Sequence, residues 1–397
     1  MSLEHDKDIS HIILTSFVYS ADVLDSIIDH HQSAEITFSR HLDPEVSDRQ
    51  TISFNEGKAL IVSPPFAQSY LRGCFHAKLL LLRFSDRLRI VISSANLTTE
   101  DWTMWSQCVW MQDFFNAPKD STRVAAKKLD LEFRTQLISF LRKCCVPEER
   151  IFNAFRGVFF ENVSVQLVAS VPGVYQGDRM NDYGQLRLRS VLKGLNDYME
   201  KVASLPKNPP ILSQCSSIGN PSQNWILSML KSCYGGREIV EKKGKLADLL
   251  HIVYPTNVYV NNSIIGPEMA GSLIFMQKVY TAKAFLREML KRYKDAPGRE
   301  TTLPHSKYLM NVPLKKRPRL PWVAWGQIEK KESQIAICNY ECGVVLLPKN
   351  YVDFVNGELD IKKHKQMDEN DVCLPIDLTF DTPCLPYRKD DRPFLRQ

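Results

Sequence analysis

Residues 73–102 read Gly73-Cys74-Phe75-His76-Ala77-Lys78-Leu79-Leu80-Leu81-Leu82-Arg83-Phe84-Ser85-Asp86-Arg87-Leu88-Arg89-Ile90-Val91-Ile92-Ser93-Ser94-Ala95-Asn96-Leu97-Thr98-Thr99-Glu100-Asp101-Trp102. Two apolar runs, 79–82 and 88–92, flank a polar turn, the pattern of two strands in succession. An H-x-K triplet on extended chain puts both side chains on one face, because strand side chains alternate with period two. His76 and Lys78 are therefore neighbours at the mouth of a strand, and Ser94 and Asn96 follow the next strand as neutral hydrogen-bond donors. A partial second copy lies downstream. It begins with His305-Ser306-Lys307 and reaches Ala324-Trp325-Gly326, but six residues before Trp325, where the first copy has Asn96 before Trp102, stands Arg319 in the run Lys315-Lys316-Arg317-Pro318-Arg319.

Outward from the first copy, strand and helix alternate. Residues 8–17 read as a buried strand leading into a helix at 21–30, with a further β-like run at 59–63. Thr122 to Cys144 carries Val124, Leu129, Leu131, Phe133, Leu137, Phe140 and Leu141 at roughly helical spacing, an amphipathic helix against a sheet. A new apolar run, Val163 to Val168, follows Pro147-Glu148-Glu149 and leads to the turn Pro172-Gly173. The pattern predicts two α/β domains, 1–162 with His76, Lys78 and Asn96, and 163–397 with His305 and Lys307 but without the asparagine strand. Helices are expected at 187–203, 222–233 and 279–294, strands at 249–254 and across Ile335 to Leu347, and extended connection beyond Asp368.

At 397 residues, with 44% hydrophobic and 24% charged residues, the chain has the composition of a globular pair of domains. It has no apolar run of the roughly 18 to 20 residues that span a bilayer, so no membrane association is expected. Its start lacks the basic and apolar regions of a secretory signal, which predicts mostly free thiols among ten cysteines. No C-x2-C pair occurs, and Cys338 with Cys342 lacks a second pair, so neither zinc nor any other metal or cofactor is expected. A net charge of +6 permits a polyanionic partner without requiring one.

The chemistry such triplets support is phosphoryl transfer. An imidazole can attack phosphorus while the ammonium and an asparagine hold its oxygens, and a second histidine can protonate the leaving group. H-x-K alone is a weak signal, with roughly 0.6 occurrences expected by chance, and His5-Asp6-Lys7 reads as one of these. His76 also admits the plain reading of a strand histidine beside a surface lysine.

The stretch from Gly73 to Trp102 resembles the tyrosyl-DNA phosphodiesterases of the phospholipase D superfamily. Related phospholipases carry aspartate further along the H-x-K motif where this branch relies on an asparagine such as Asn96, which argues against a lipid substrate. The resemblance extends through Ser170-Val171-Pro172-Gly173, Gln214-Cys215-Ser216-Ser217-Ile218-Gly219, Tyr254-Pro255, Gly271-Ser272-Leu273, Pro304-His305-Ser306-Lys307 and Tyr340-Glu341-Cys342-Gly343-Val344 to Asp391-Arg392-Pro393. It implies a monomer of two similar domains related by a pseudo-twofold, each a mixed β-sheet flanked by helices, with one active site at their junction.

By that resemblance His76 is the nucleophile that takes the 3′-phosphate of DNA as phosphohistidine, releasing a tyrosine such as that of a stalled topoisomerase I. His305 is the general acid and then the base that activates water, while Lys78, Lys307 and Asn96 hold the phosphate. Gln107 and Glu341 match the residues that orient the histidines; the expectation is that Glu341 serves His305 and Gln107 serves His76. Ser216 and Ser217 match a loop that contacts the DNA backbone, against the plain reading of a turn with Gly219. The implied partners are single-stranded or 3′-end DNA and a topoisomerase-derived tyrosyl peptide, and the implied location is the nucleus.

Three departures qualify the match. Arg72 stands where the family places an aromatic four residues before the first histidine. The interval from His305 to Trp325 is 20 residues against 26 from His76 to Trp102. Roughly six residues are therefore missing near Val323, through a deletion, a splice product or a faulty gene model, and the stop shortly after Pro393-Phe394 favours the last two. Their loss is expected to remove a phosphate ligand and a central strand, whose backbone partners would be left unpaired. The run Lys315 to Arg319 is a nuclear import signal, a DNA-contacting loop or a solvated connector. Two functions follow: a DNA end-processing phosphodiesterase, or a catalytically impaired relative that still binds single-stranded DNA or protein–DNA adducts.

Overall fold

The computed structural model describes residues 8–41, 52–54, 58–65, 73–117, 128–161, 163, 165–203, 208–239, 246–311, 318–319, 325–346, 353–355, 358–360 and 378–397. The chain divides into two compact units, one of Met1–Thr99, Val109–Arg179 and Ala324–Lys362, the other of Glu100–Cys108, Met180–Val323 and Lys363–Gln397. This interleaving differs from the expected single cut at residue 162. The cause is strand pairing: Val165–Ser170 lies antiparallel to Glu341–Leu346, and Trp105–Ser106 lies parallel to Leu303–Pro304.

The first unit is built on a seven-stranded sheet in the order Ile52–Phe54, Ala59–Val62, Glu35–Arg40, His11–Ser16, Leu79–Arg83, Arg87–Ser93, Val109–Phe115. His11–Ser16 sits at its centre, parallel to Glu35–Arg40 and antiparallel to Leu79–Arg83. Ile12, Ile13 and Leu14 are at most 1% exposed, the near-continuous apolar run of a strand covered on both faces. Helix Ala21–His30 makes the crossover to the parallel neighbour and buries Leu24 and Ile27. Helix Lys128–Lys143 buries Phe133 against Phe114, at 6.0 Å between ring centroids, and against Phe160. The part of the predicted helix before Lys128 lies outside the described residues.

The second unit repeats the same pairing pattern. Its sheet runs Leu290–Arg292, Leu250–Tyr254, Ile211–Gln214, Tyr308–Asn311, Pro318–Arg319, with two parallel pairings followed by two antiparallel ones. That is the sequence of pairings from Ala59–Val62 to Arg87–Ser93 in the first unit. In each unit the H-x-K triplet immediately precedes the antiparallel strand beside the central one. Pro318–Arg319 stands where Arg87–Ser93 stands in the first unit, so a strand is present where the sequence predicts none. Pro318–Arg319 pairs with Met310 and Leu309, so those two positions keep a strand neighbour.

Helices Gly184–Ala203 and Gln223–Cys233 form where expected and are joined by Gln185, whose Oε1 accepts from Ser228 and Ser232. The helix predicted over 279–294 is instead two short helices, Gln277–Ala282 and Ala284–Met289, followed by a strand. Lys283, at φ −119° and ψ 83°, breaks the helix, and Leu290–Arg292 gains a parallel partner in Ile252–Tyr254. The tail 378–397 is extended, tied by single bridges at Phe380, Pro386, Pro393 and Arg396 and anchored by buried Phe380 and Phe394.

Candidate active site

Each unit holds one histidine–lysine pair, assembled by the same local device. In the first, Phe75 bridges Tyr340 in parallel, and His76 N–H donates to the Tyr340 carbonyl at 2.9 Å. That register puts the next residues, His76 and Glu341, side by side, with Nδ1 3.1 Å from Oε2. In the second, Pro304 pairs with Ser106, and His305 N–H donates to the Ser106 carbonyl. The next residues, His305 and Gln107, again meet, Nδ1 to Nε2 at 3.2 Å.

The partners are thus the reverse of those expected: Glu341 serves His76 and Gln107 serves His305. The expectation gave the carboxylate to the histidine that must be protonated as an acid and the neutral amide to the nucleophile, whereas the backbone bridges decide the partners across 265 and 198 positions. Glu341 is buried while the His76 ring keeps 22% of its side-chain exposure. The Phe17 ring lies 5.5 Å from that imidazole.

The two lysines also match. Lys78 Nζ donates to the carbonyl of His76 at 2.9 Å and Lys307 Nζ to that of His305 at 3.1 Å, each buried and each looping back over its own triplet. A buried ammonium is costly without acceptors, so these bonds fix where the charge sits. Thr15 braces the first triplet, donating to the Ala77 carbonyl at 3.1 Å and accepting from Leu79 N–H at 2.8 Å. The second triplet is braced at Ser306, which is fully buried and meets Gln214 Oε1 and Thr379 Oγ1, both at 2.7 Å. Thr379 belongs to the tail, from which the sequence suggested no role.

Asn96 is buried, and its Oδ1 accepts from Val18 N–H at 3.3 Å. Among the described residues the second triplet has no equivalent. Leu309 pairs with Arg319 as Leu80 pairs with Val91, and five positions further on, where the first copy has Asn96, the sequence has Ala324, outside the described residues. Neither that count nor the count back from Trp325, which gives Arg319, yields an asparagine. Ser216 is buried and Ser217 exposed, where a short strand pairs with Ile274–Phe275. Arg72 and Lys315 to Arg317 lie outside the described residues.

One polar neighbour escaped the sequence reading. Asp101 Oδ1 lies 3.3 Å from Nδ1 of His305, with both side chains buried. Its signal was its place next to Trp102, four residues before Trp105, whose ring stands edge-on to His305 at 5.8 Å. In the first unit, burial pushes the Cys74 thiol up to about 12, with Glu341 adding to the shift. The nine described cysteines are free thiols. Among the described residues there is no group of three or more His, Cys, Asp or Glu that could hold a metal ion, and no helix long and apolar enough to cross a membrane.

Two mixed sheets of one pairing pattern, each with an H-x-K triplet ahead of the strand beside its central one, define a mixed α/β protein built from two repeated sheets. The family model described as tyrosyl-DNA phosphodiesterase matches residues 3–388, and the chain belongs to that family. It is 31% identical over 297 residues to tyrosyl-DNA phosphodiesterase 1 of Arabidopsis thaliana, covering 70% of this chain and 47% of that protein. The corresponding Drosophila melanogaster protein is 28% identical, covering 83% and 57%. The chain thus spans about half the length of these curated relatives. The crystal structure of yeast tyrosyl-DNA phosphodiesterase aligns over 98% of this chain and 94% of that one, with a TM-score of 0.63 at 20% identity, which establishes the fold.

Proposed function

We propose that the chain is a metal-independent DNA-repair phosphodiesterase that removes tyrosyl and related blocks from 3′ ends of DNA, including topoisomerase I adducts. The observation that carries this reading is the matched pair of triplets, each with its histidine's Nδ1 held by a polar side chain. With Nδ1–H donated to Glu341, neutral His76 presents a lone pair at Nε2, the state a nucleophile needs. Nε2 attacks phosphorus as the phosphorus–tyrosyl oxygen bond breaks, and His305 gives its proton to that oxygen. Water then attacks the phosphohistidine, His305 takes its proton, and the P–N bond breaks to leave a 3′-phosphate and free His76. Lys78, Lys307 and the amide nitrogen of Asn96 would neutralise and hold the phosphate oxygens. Ser217, exposed beside its short strand, and Ser216 through its backbone would meet the DNA backbone.

A second reading is supported by the missing second asparagine: a relative that binds single-stranded DNA or protein–DNA adducts with little turnover. The test is cleavage of a 3′-phosphotyrosyl oligonucleotide in EDTA. Turnover supports the enzyme; binding without turnover supports the second reading, and activity only with added metal overturns the mechanism. A repair role would place the protein in the nucleus as a monomer, to be checked by a fluorescent fusion and by sedimentation.

A further inference from the structure

Nδ1 of His305 faces two partners with opposite demands. Gln107 Nε2, 3.2 Å away, also donates to the main-chain carbonyl of Asp101 at 3.0 Å. A carbonyl only accepts, so that contact identifies this end of the amide as NH2, which would need a lone pair on Nδ1. Asp101 Oδ1, 3.3 Å from the same nitrogen, only accepts and needs an N–H there. The side chains of His305 and Asp101 are 5% and 7% exposed, so the two demands meet away from bulk water.

We infer that Asp101 is a positioning residue that keeps the proton on Nδ1 of His305, so that Nε2 alone gives and takes the proton of the reaction. A charge-assisted bond to a carboxylate is roughly twice as strong as a neutral one. Gln107 gives up little, since its amide already has the Asp101 carbonyl. Lys307, on the ring's own segment, is bound to the His305 carbonyl. Trp105 is neutral, and burial keeps the Tyr293 phenol, which reaches Ser106, protonated.

The consequence is specific to the second step. Imidazolium gives its Nε2 proton to the tyrosyl oxygen and is left with Nδ1–H on Asp101 and a lone pair on Nε2, ready for the proton of water. Were the remaining proton on Nε2, with Nδ1 accepting from Gln107, the ring could not act as that base. The inference rests on the proposed role of His305, yet its first test does not require activity.

Long-range 1H–15N correlation spectra of the full chain labelled with 15N-histidine report each tautomer, with His305 assigned by its loss in His305→Gln. The expected result is Nδ1–H in the wild type and in Gln107→Leu, and Nε2–H in Asp101→Leu, which has no acceptor to offer Nδ1. With 3′-phosphotyrosyl oligonucleotide, Asp101→Leu should slow decay of the covalent intermediate about tenfold, and more than it slows formation. Nε2–H in the wild type, or an unchanged tautomer in Asp101→Leu, overturns the inference. Should Asp101→Leu not fold, the wild-type spectrum decides alone. A wild type with the expected tautomer but no turnover would sink the proposed function and leave the positioning role standing.

Discussion

Replacing Glu341 by glutamine separates two things the carboxylate does for His76. At 3.1 Å from Nδ1, a glutamine of the same shape can turn its amide oxygen to the ring and keep the tautomer. It cannot stabilise the positive charge that grows on the ring as Nε2 bonds to phosphorus. A hydrogen bond to a charged group contributes about 1.5–3 kcal/mol against about 1 for a neutral one, leaving a loss of about 1–2 kcal/mol. At about 1.4 kcal/mol per factor of ten, formation of the covalent intermediate should slow roughly 5- to 30-fold. Glu341→Ala also releases the ring and should cost about tenfold more. Rapid-quench single-turnover cleavage of a 3′-phosphotyrosyl oligonucleotide measures both steps. Formation rates within about twofold of wild type for both variants would refute the assignment, as would a Glu341→Gln effect confined to decay of the intermediate.

The fold makes further demands. Gly326 adopts φ +87°, and a Cβ there would lie 2.7 Å from Ile337 Cγ1 and 2.9 Å from the Ala336 carbonyl; Gly326→Ala should lose about 1–3 kcal/mol in denaturant unfolding. Thr379→Val removes a hydroxyl 2.7 Å from Ser306, so it should cost about 1–3 kcal/mol and reduce turnover more than oligonucleotide binding, seen as a fall in kcat with KM nearly constant. His251 is held below its ordinary 6.5, first by burial and then by Lys291. The fold therefore favours its neutral form, and this contribution is whole above 6.5 and is lost as pH falls toward the lowered value. The unfolding midpoint should drop from pH 7 to pH 5, and His251→Gln should flatten that slope.

What the sequence disclosed was local. Ile12-Ile13-Leu14 announces a strand covered on both faces, and Leu24 with Ile27 one buried helix stripe, because each pattern is set within a few residues. The triplets at His76 and His305 were legible because strand signals follow them directly. The partners of the histidines were not, since a bridge at Phe75–Tyr340 and a register at Pro304–Ser106 decide them, and neither leaves a trace in composition or spacing. Asp101 was hidden for the same reason, its carboxylate acting across 204 positions of chain on His305. At 279–294 the helical spacing was real, but the parallel partner Ile252–Tyr254 claimed Leu290–Arg292, a tertiary pairing that outweighs local propensity.

The account turns on a covalent bond between His76 and DNA. Its most direct test is intact and peptide mass spectrometry of a His305→Ala variant after reaction with a 3′-phosphotyrosyl oligonucleotide, quenched in alkali to preserve phosphohistidine. The account predicts an oligonucleotide joined through its 3′-phosphate to His76, which vanishes when His76 is also replaced. Tyrosine release without any adduct, or an adduct on a different residue, would contradict it.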